Sequence, residues 1–106
     1  MSTVVDDELW SAIGDPTRRR MLDLLLADGG GTATTLSGRL PVTRQAVTKH
    51  LTVLEQAGLV QRTRIGRESR YAYQPQTLDD ARAYLDAVSR QWDDALGRLA
   101  LLVETE

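Results

Sequence analysis

The chain has 106 residues, 42% apolar and 26% charged, which sizes it for one domain around a single core. It has no cysteine and one histidine, which excludes disulfide frameworks and thiolate metal centres. No run of about 18 apolar residues is present to cross a membrane, and the opening MSTVVDDELW lacks the basic start and apolar stretch of a secretory signal, so a cytoplasmic protein is expected.

The net charge of −2 is unevenly spread. Residues 1–14 carry −3, residues 15–74 carry ten bases against five acids, and residues 75–106 carry −4. A basic middle between acidic ends is what a phosphate-binding centre with solvated flanks would show.

In chain order, Val5, Leu9, Trp10 and Ile13 share one helical face, and Gly14 closes a first helix over 5–14. Asp15-Pro16 restarts the chain as an N-cap followed by a first-turn proline. That second helix runs to about Ala27 and stops at the glycines 29–31, which read as a flexible break. Thr32 or Thr34 caps a short helix over 33–40, Pro41-Val42 breaks it, and Thr43 caps a helix to Ala57. Gly58 suits the left-handed position past that helix, with Leu59 folding back on Leu54. Residues 59–64 and 70–74 read as strands with a tip at 65–69, and Thr77 is expected to cap a last helix over 77–104. The predicted fold is a single domain, 1–106, mainly α with a small β-hairpin.

The order of elements points to the chemistry. Two helices over 33–57 meet at a sharp turn, and a two-stranded ribbon over 59–74 follows at once. This is the helix-turn-helix-and-wing order of a DNA-binding domain. On a helical wheel, Val47, His50, Leu51, Val53 and Leu54 occupy one side of the 43–57 helix. The other side displays Arg44, Gln45, Thr48 and Lys49 near its start, where a recognition helix meets the major groove, with Thr43 at the cap. Arginine and lysine suit guanine, glutamine suits adenine, and threonine accepts either a hydrogen bond or a thymine methyl. In the ribbon, Arg62, Arg64, Arg67 and Arg70 suit phosphates or the minor groove, and Arg67 at the tip is the foremost candidate. The same charges also protect an exposed strand edge. Arg18, Arg19 and Arg20 fan around their helix, so at most two face one surface; solvation with pairing to Asp15, Asp23 or the acidic ends stands beside phosphate contact as their reading. His50, inside the apolar arc, is read as a core-edge histidine with a satisfied hydrogen bond, or as a phosphate contact from the arc's edge, rather than a metal ligand.

The last helix repeats Leu78, Ala81, Leu85, Val88, Trp92, Ala95, Leu99 and Leu102 at alternating intervals of three and four, a heptad seam too long for the rest of the chain to cover. A homodimer through the terminal helices is therefore expected. Its interface would be formed by Leu9, Trp10, Ile13, Leu78, Leu85, Val88, Trp92, Leu99 and Leu102.

Residues 9–75 resemble the ArsR-type family of bacterial winged helix-turn-helix repressors, first known from arsenical resistance. The resemblance is carried by Asp15-Pro16-Thr17-Arg18-Arg19, by the segment from Leu36 through Leu40, by the run from Pro41 to Leu51, by Leu54-Glu55-Gln56-Ala57-Gly58-Leu59-Val60, and by Gly66-Arg67 with Tyr71-Ala72-Tyr73. It implies a homodimer joined by its terminal helices that binds an inverted repeat in double-stranded DNA and represses transcription. It also places the family's base contacts on Arg44, Gln45, Thr48 and Lys49. Metal-sensing members carry cysteines where this chain has Thr32 and Thr34, and others use histidines in the last helix, which has none here. The resemblance is thus to the metal-free branch, with no cofactor and no metal, and the sequence names no effector.

Two other readings compete. One is a winged-helix protein-interaction module that no longer binds DNA, which would be expected to lose Arg44, Gln45 and Lys49 from its polar face. The other is a hydrolytic enzyme. No serine has a histidine partner in a plausible motif, and no P-loop or dinucleotide fingerprint is present, so an enzyme is not expected.

Overall fold

A computed structural model describes residues 7–104. The elements run α1 (Asp7–Gly14), α2 (Pro16–Asp28), β1 (Gly31–Thr32), α3 (Ala33–Ser37), α4 (Arg44–Gln56), β2 (Val60–Ile65), β3 (Glu68–Tyr73) and α5 (Pro75–Glu104). Positions 5 and 6 of the expected first helix lie outside the described residues.

Local caps set most boundaries. The Asp15 carboxylate accepts the Arg18 backbone N–H at 3.1 Å, with Pro16 in the first turn of α2. Thr32 and Thr35 exchange side-chain and backbone hydrogen bonds across the start of α3, and Thr43 Oγ1 accepts the Ala46 N–H at 3.1 Å to open α4. Gly58, at φ 78°, lets the chain reverse past α4, and the Leu59 N–H then donates to the Leu54 carbonyl at 2.9 Å. Both leucines are fully buried, which is the hydrophobic contact expected of this cap.

Four boundaries differ from the sequence expectation. Helix α3 stops at Ser37 rather than at position 40, with Gly38 as its C-cap. Gly31–Thr32 is a strand rather than a flexible break, pairing antiparallel with β3 as Gly31↔Tyr71 and Thr32↔Arg70. The hairpin pairs Ile65 with Glu68, so its turn shrinks to Gly66-Arg67, with Gly66 at φ 64° as a two-residue turn of this kind requires. The sheet order is β1-β3-β2. Finally, α5 opens at Pro75 rather than at a Thr77 cap. The Thr77 hydroxyl donates instead to the Gly58 carbonyl at 2.8 Å, tying the start of α5 to the end of α4.

The core gathers Leu9, Ala12, Met21, Leu25, Leu36, Val47, Leu51, Leu54, Leu59, Val60, Tyr71 and Ala81. Leu9 is 1% exposed, so its side chain packs inside the domain and is not available to a partner, contrary to its expected place in an interface. Short α1 is anchored by Leu9 together with the fully buried Ala12. Ile13 and Leu78 are likewise partly packed on the core, whereas Trp10 is exposed.

Ala81 is the buried residue of α5. Beyond it the helix, 30 residues and so about 45 Å long at 1.5 Å per residue, extends from the body, and the molecule measures 69 × 30 × 22 Å. Leu85, Trp92, Leu99 and Leu102 of the heptad seam are exposed and Val88 is half-buried. Among the described residues, no helix is long and apolar enough to cross a membrane.

Candidate nucleic-acid interface

Helix α4 is held from behind by Val47, Leu51 and Leu54, which are fully buried. Its opposite face is therefore fixed outward, and Arg44, Gln45, Thr48 and Lys49 are all exposed there. The Thr48 hydroxyl donates to the Arg44 carbonyl at 3.0 Å and Thr52 repeats the bond to Thr48 at 3.1 Å, so the Thr48 hydroxyl proton is already engaged within the helix.

The wing divides the expected arginines among different surfaces. Paired residues share a sheet face, so Arg62 opposite Tyr71 and Arg64 opposite Ser69 lie on the side of buried Tyr71. Arg70 lies on the other side. Its guanidinium stands over Gly30, where an added Cβ would meet Arg70 Nη2 at 3.2 Å and the Tyr71 carbonyl at 3.1 Å. Arg64 bends over its own turn, donating from Nε to the Gly66 carbonyl at 3.2 Å. Arg62 Nε lies 3.7 Å from Glu55 on α4, an exposed pair that ties the wing to the helix weakly.

Between wing and helix is a cleft of about 220 Å³. Arg44 and Thr48 of α4 form one wall and Arg62 and Arg67 of the wing form the other, with Tyr71, Thr32 and Thr34 also lining it. Four of the sequence-predicted DNA contacts thus converge on one space. Gln45 and Lys49 lie outside this lining, on the exposed helix surface. The joint lining by Thr32, Thr34 and Tyr71 was not read from the sequence. The one usable signal was the hairpin register, which puts Arg62 opposite Tyr71.

A second constellation lies behind α4. Arg18 donates from Nε to the Ala12 carbonyl and from Nη2 to the Ser11 carbonyl, each at 2.9 Å, and its Nη1 is 3.2 Å from His50 Nδ1. A guanidinium only donates, so Nδ1 is the acceptor of this contact. Arg19 donates to the Ile13 carbonyl at 2.6 Å. Three of the four carbonyls left open at the end of α1 are thus closed by two arginines of the next helix. Arg18 is mostly buried, and its Nη1 lies 3.9 Å from Asp15 Oδ2, the pairing that was expected, while its other donors close the end of α1; His50 is half-buried and hydrogen-bonded. Hydrogen bonding from the Arg18 N–H, aided by the Arg18 guanidinium, holds the Asp15 carboxyl below the usual carboxylate range.

Residues 13–63 match the model of a helix-turn-helix domain family. The HTH-type transcriptional regulator Rv2034 of Mycobacterium tuberculosis is 38% identical over 100 residues, spanning 94% of this chain and 90% of that protein. The transcriptional repressor SdpR of Bacillus subtilis is 32% identical over 75 residues, 71% of this chain and 82% of that one. An ArsR-like transcriptional regulator from Rhodococcus sp. RHA1 superposes with a TM-score of 0.88 at 33% identity, covering 93% of this chain and 90% of that one. These relatives are transcriptional regulators, not enzymes. Their lengthwise agreement matches the order of helices, turn and wing described above, and the chain belongs to the ArsR family of winged-helix transcriptional regulators.

Proposed function

We propose that this regulator is a cytoplasmic, homodimeric repressor that binds an inverted-repeat operator and carries no site for the thiophilic metals. The observation that carries the reading is the outward face of α4 beside the arginine-lined wing, held there by the fully buried Val47, Leu51 and Leu54. Gln45 and Lys49 read base edges, Arg44 and Thr48 share the work of readout with the cleft, and Arg67 holds the backbone. The repressor sense is supported by the likeness to SdpR, which is a transcriptional repressor. Absence of a thiophilic site is supported by a sequence with no cysteine and by a single histidine whose Nδ1 faces Arg18.

The dimer is supported by α5. A projecting helix with Leu85, Trp92, Leu96 and Leu99 at about half or more exposure presents an apolar stripe that a single copy leaves in water. A second copy related by a two-fold axis covers it with the same stripe, helped by Trp10. Two α4 helices then address half-sites about one helical turn apart, roughly 10 bp centre to centre, or a multiple of it.

The test is selection of bound sequences from a random duplex pool, followed by measurements on the enriched site. Gln45→Ala costs about 1–3 kcal/mol there and relaxes preference at one position. Arg67→Ala weakens all sequences evenly and lowers the salt slope by about one. A pool with no enriched motif refutes the reading.

A further inference from the structure

The cleft between wing and α4 has properties that base reading does not need. Three arginines, Arg44, Arg62 and Arg67, line a space of about 220 Å³ together with Thr48 and Tyr71. One molecule of water needs only about 10–15 Å³, so the space admits a tetrahedral oxyanion with its solvent. Glu68 is the only acid of the lining, and Arg62 is partly engaged by Glu55 at 3.7 Å. The local balance is therefore positive by one to two charges, enough to offset the single negative charge of a backbone phosphodiester or the larger charge of free phosphate, about −1.5 at neutral pH. Two walls that come from different elements, the recognition helix and the ribbon, let the guanidinium forks approach an oxyanion from several directions, which one helix face cannot do.

We propose that this cleft is a discrete seat for one phosphate-class oxyanion, occupied by a backbone phosphate when duplex DNA is bound and open to free phosphate otherwise. Free phosphate and operator compete for it. The protein's affinity for DNA thus depends on which anion is present and not only on ionic strength. The competition rests on the DNA-binding reading, whereas the seat itself does not.

The experiment has two arms, both on the full chain at constant ionic strength and pH, with sodium phosphate replacing sodium chloride. In the first, without DNA, arginine Nε–H and backbone amide signals are followed by NMR as phosphate is added. Saturable shifts on Arg44, Arg62 and Arg67 and in residues 32–34, absent from Arg62→Gln/Arg67→Gln, support the seat. Shifts spread over surface arginines such as Arg82, Arg90 and Arg98 without saturation overturn it. In the second, affinity for the enriched duplex is compared in the two salts. Phosphate at about four times its own dissociation constant weakens the wild type about fivefold, as simple competition requires. The phosphate-to-chloride ratio of the double variant stays near one. Equal wild-type affinity in both salts overturns the competition. A filled seat in a protein that selects no DNA refutes the DNA-binding reading and leaves the seat standing. Selected DNA with an unfilled seat does the opposite.

Discussion

Arg18→Met removes the guanidinium that bolts α1 to the domain while keeping an unbranched apolar stem. The wild-type side chain is 14% exposed and donates to the Ser11 and Ala12 carbonyls at 2.9 Å. Hydrogen bonds from a charged donor contribute about 1.5–3 kcal/mol each. The Ala12 residue is fully buried, so its carbonyl finds little water in compensation, whereas Ser11 is exposed and its carbonyl rehydrates. The low end of that range for both bonds, reduced for Ser11, gives a loss of about 2–3 kcal/mol. For a domain of this size that is roughly 10–20 °C in Tm. The assay is urea unfolding followed by circular dichroism at several protein concentrations, with amide exchange reporting on α1. The midpoint falls at unchanged slope and the α1 amides lose protection first. Arg18→Lys, a single ammonium unable to reach both carbonyls and His50, recovers less than half of the loss. A methionine variant within 0.5 kcal/mol of wild type refutes the reasoning and makes Arg18 an ordinary surface charge.

Three further outcomes are expected. Gly58→Ala costs about 2–3 kcal/mol in urea, because φ is 78° and the new Cβ lies 2.8 Å from Thr77 Oγ1; adding Thr77→Ala costs less there than in wild type, and strict additivity contradicts the contact. Asp15→Ala loses a helix cap and about 0.5–2 kcal/mol at neutral pH. Since the Asp15 carboxyl is depressed in the folded state, its contribution is present above the ordinary aspartate value and fades as pH falls through the folded value, below about pH 4. The variant's urea midpoint is correspondingly flatter there, and an unchanged acid limb would contradict the assignment. Trp92→Ala distinguishes a lone chain from a dimer: at 65% exposure its loss costs a monomer almost nothing, whereas burial by a second copy makes it about 3 kcal/mol or more. Sedimentation equilibrium reads this directly, and a wild type that stays monomeric at micromolar concentration removes the dimer.

The amino-acid sequence by itself determined the features that depend on neighbours along the chain. Asp15, Thr43 and Gly58 act within one helical turn of themselves, so cap chemistry alone located the ends of α2 and α4. The period of apolar residues in 43–57 oriented α4, because burying Val47, Leu51 and Leu54 leaves one face for Arg44, Gln45, Thr48 and Lys49. The tertiary structure decided what rests on partners distant in sequence. Gly31–Thr32 is a strand only because β3 supplies its hydrogen bonds, and two residues carry no period of their own. Thr77 is a tether rather than a cap because the Gly58 carbonyl lies within its reach. Arg18 looked like one of three equivalent surface arginines until the end of α1, which has no base of its own in its last turn, came to rest on it. The wing arginines were visible as a cluster, but hairpin register and the packing of the wing beside α4 separated Arg62 and Arg67, which line a cleft with α4, from Arg70 on the opposite side. Local hydrogen bonding and periodicity are written residue by residue, whereas the meeting of two walls is a property of how the elements pack.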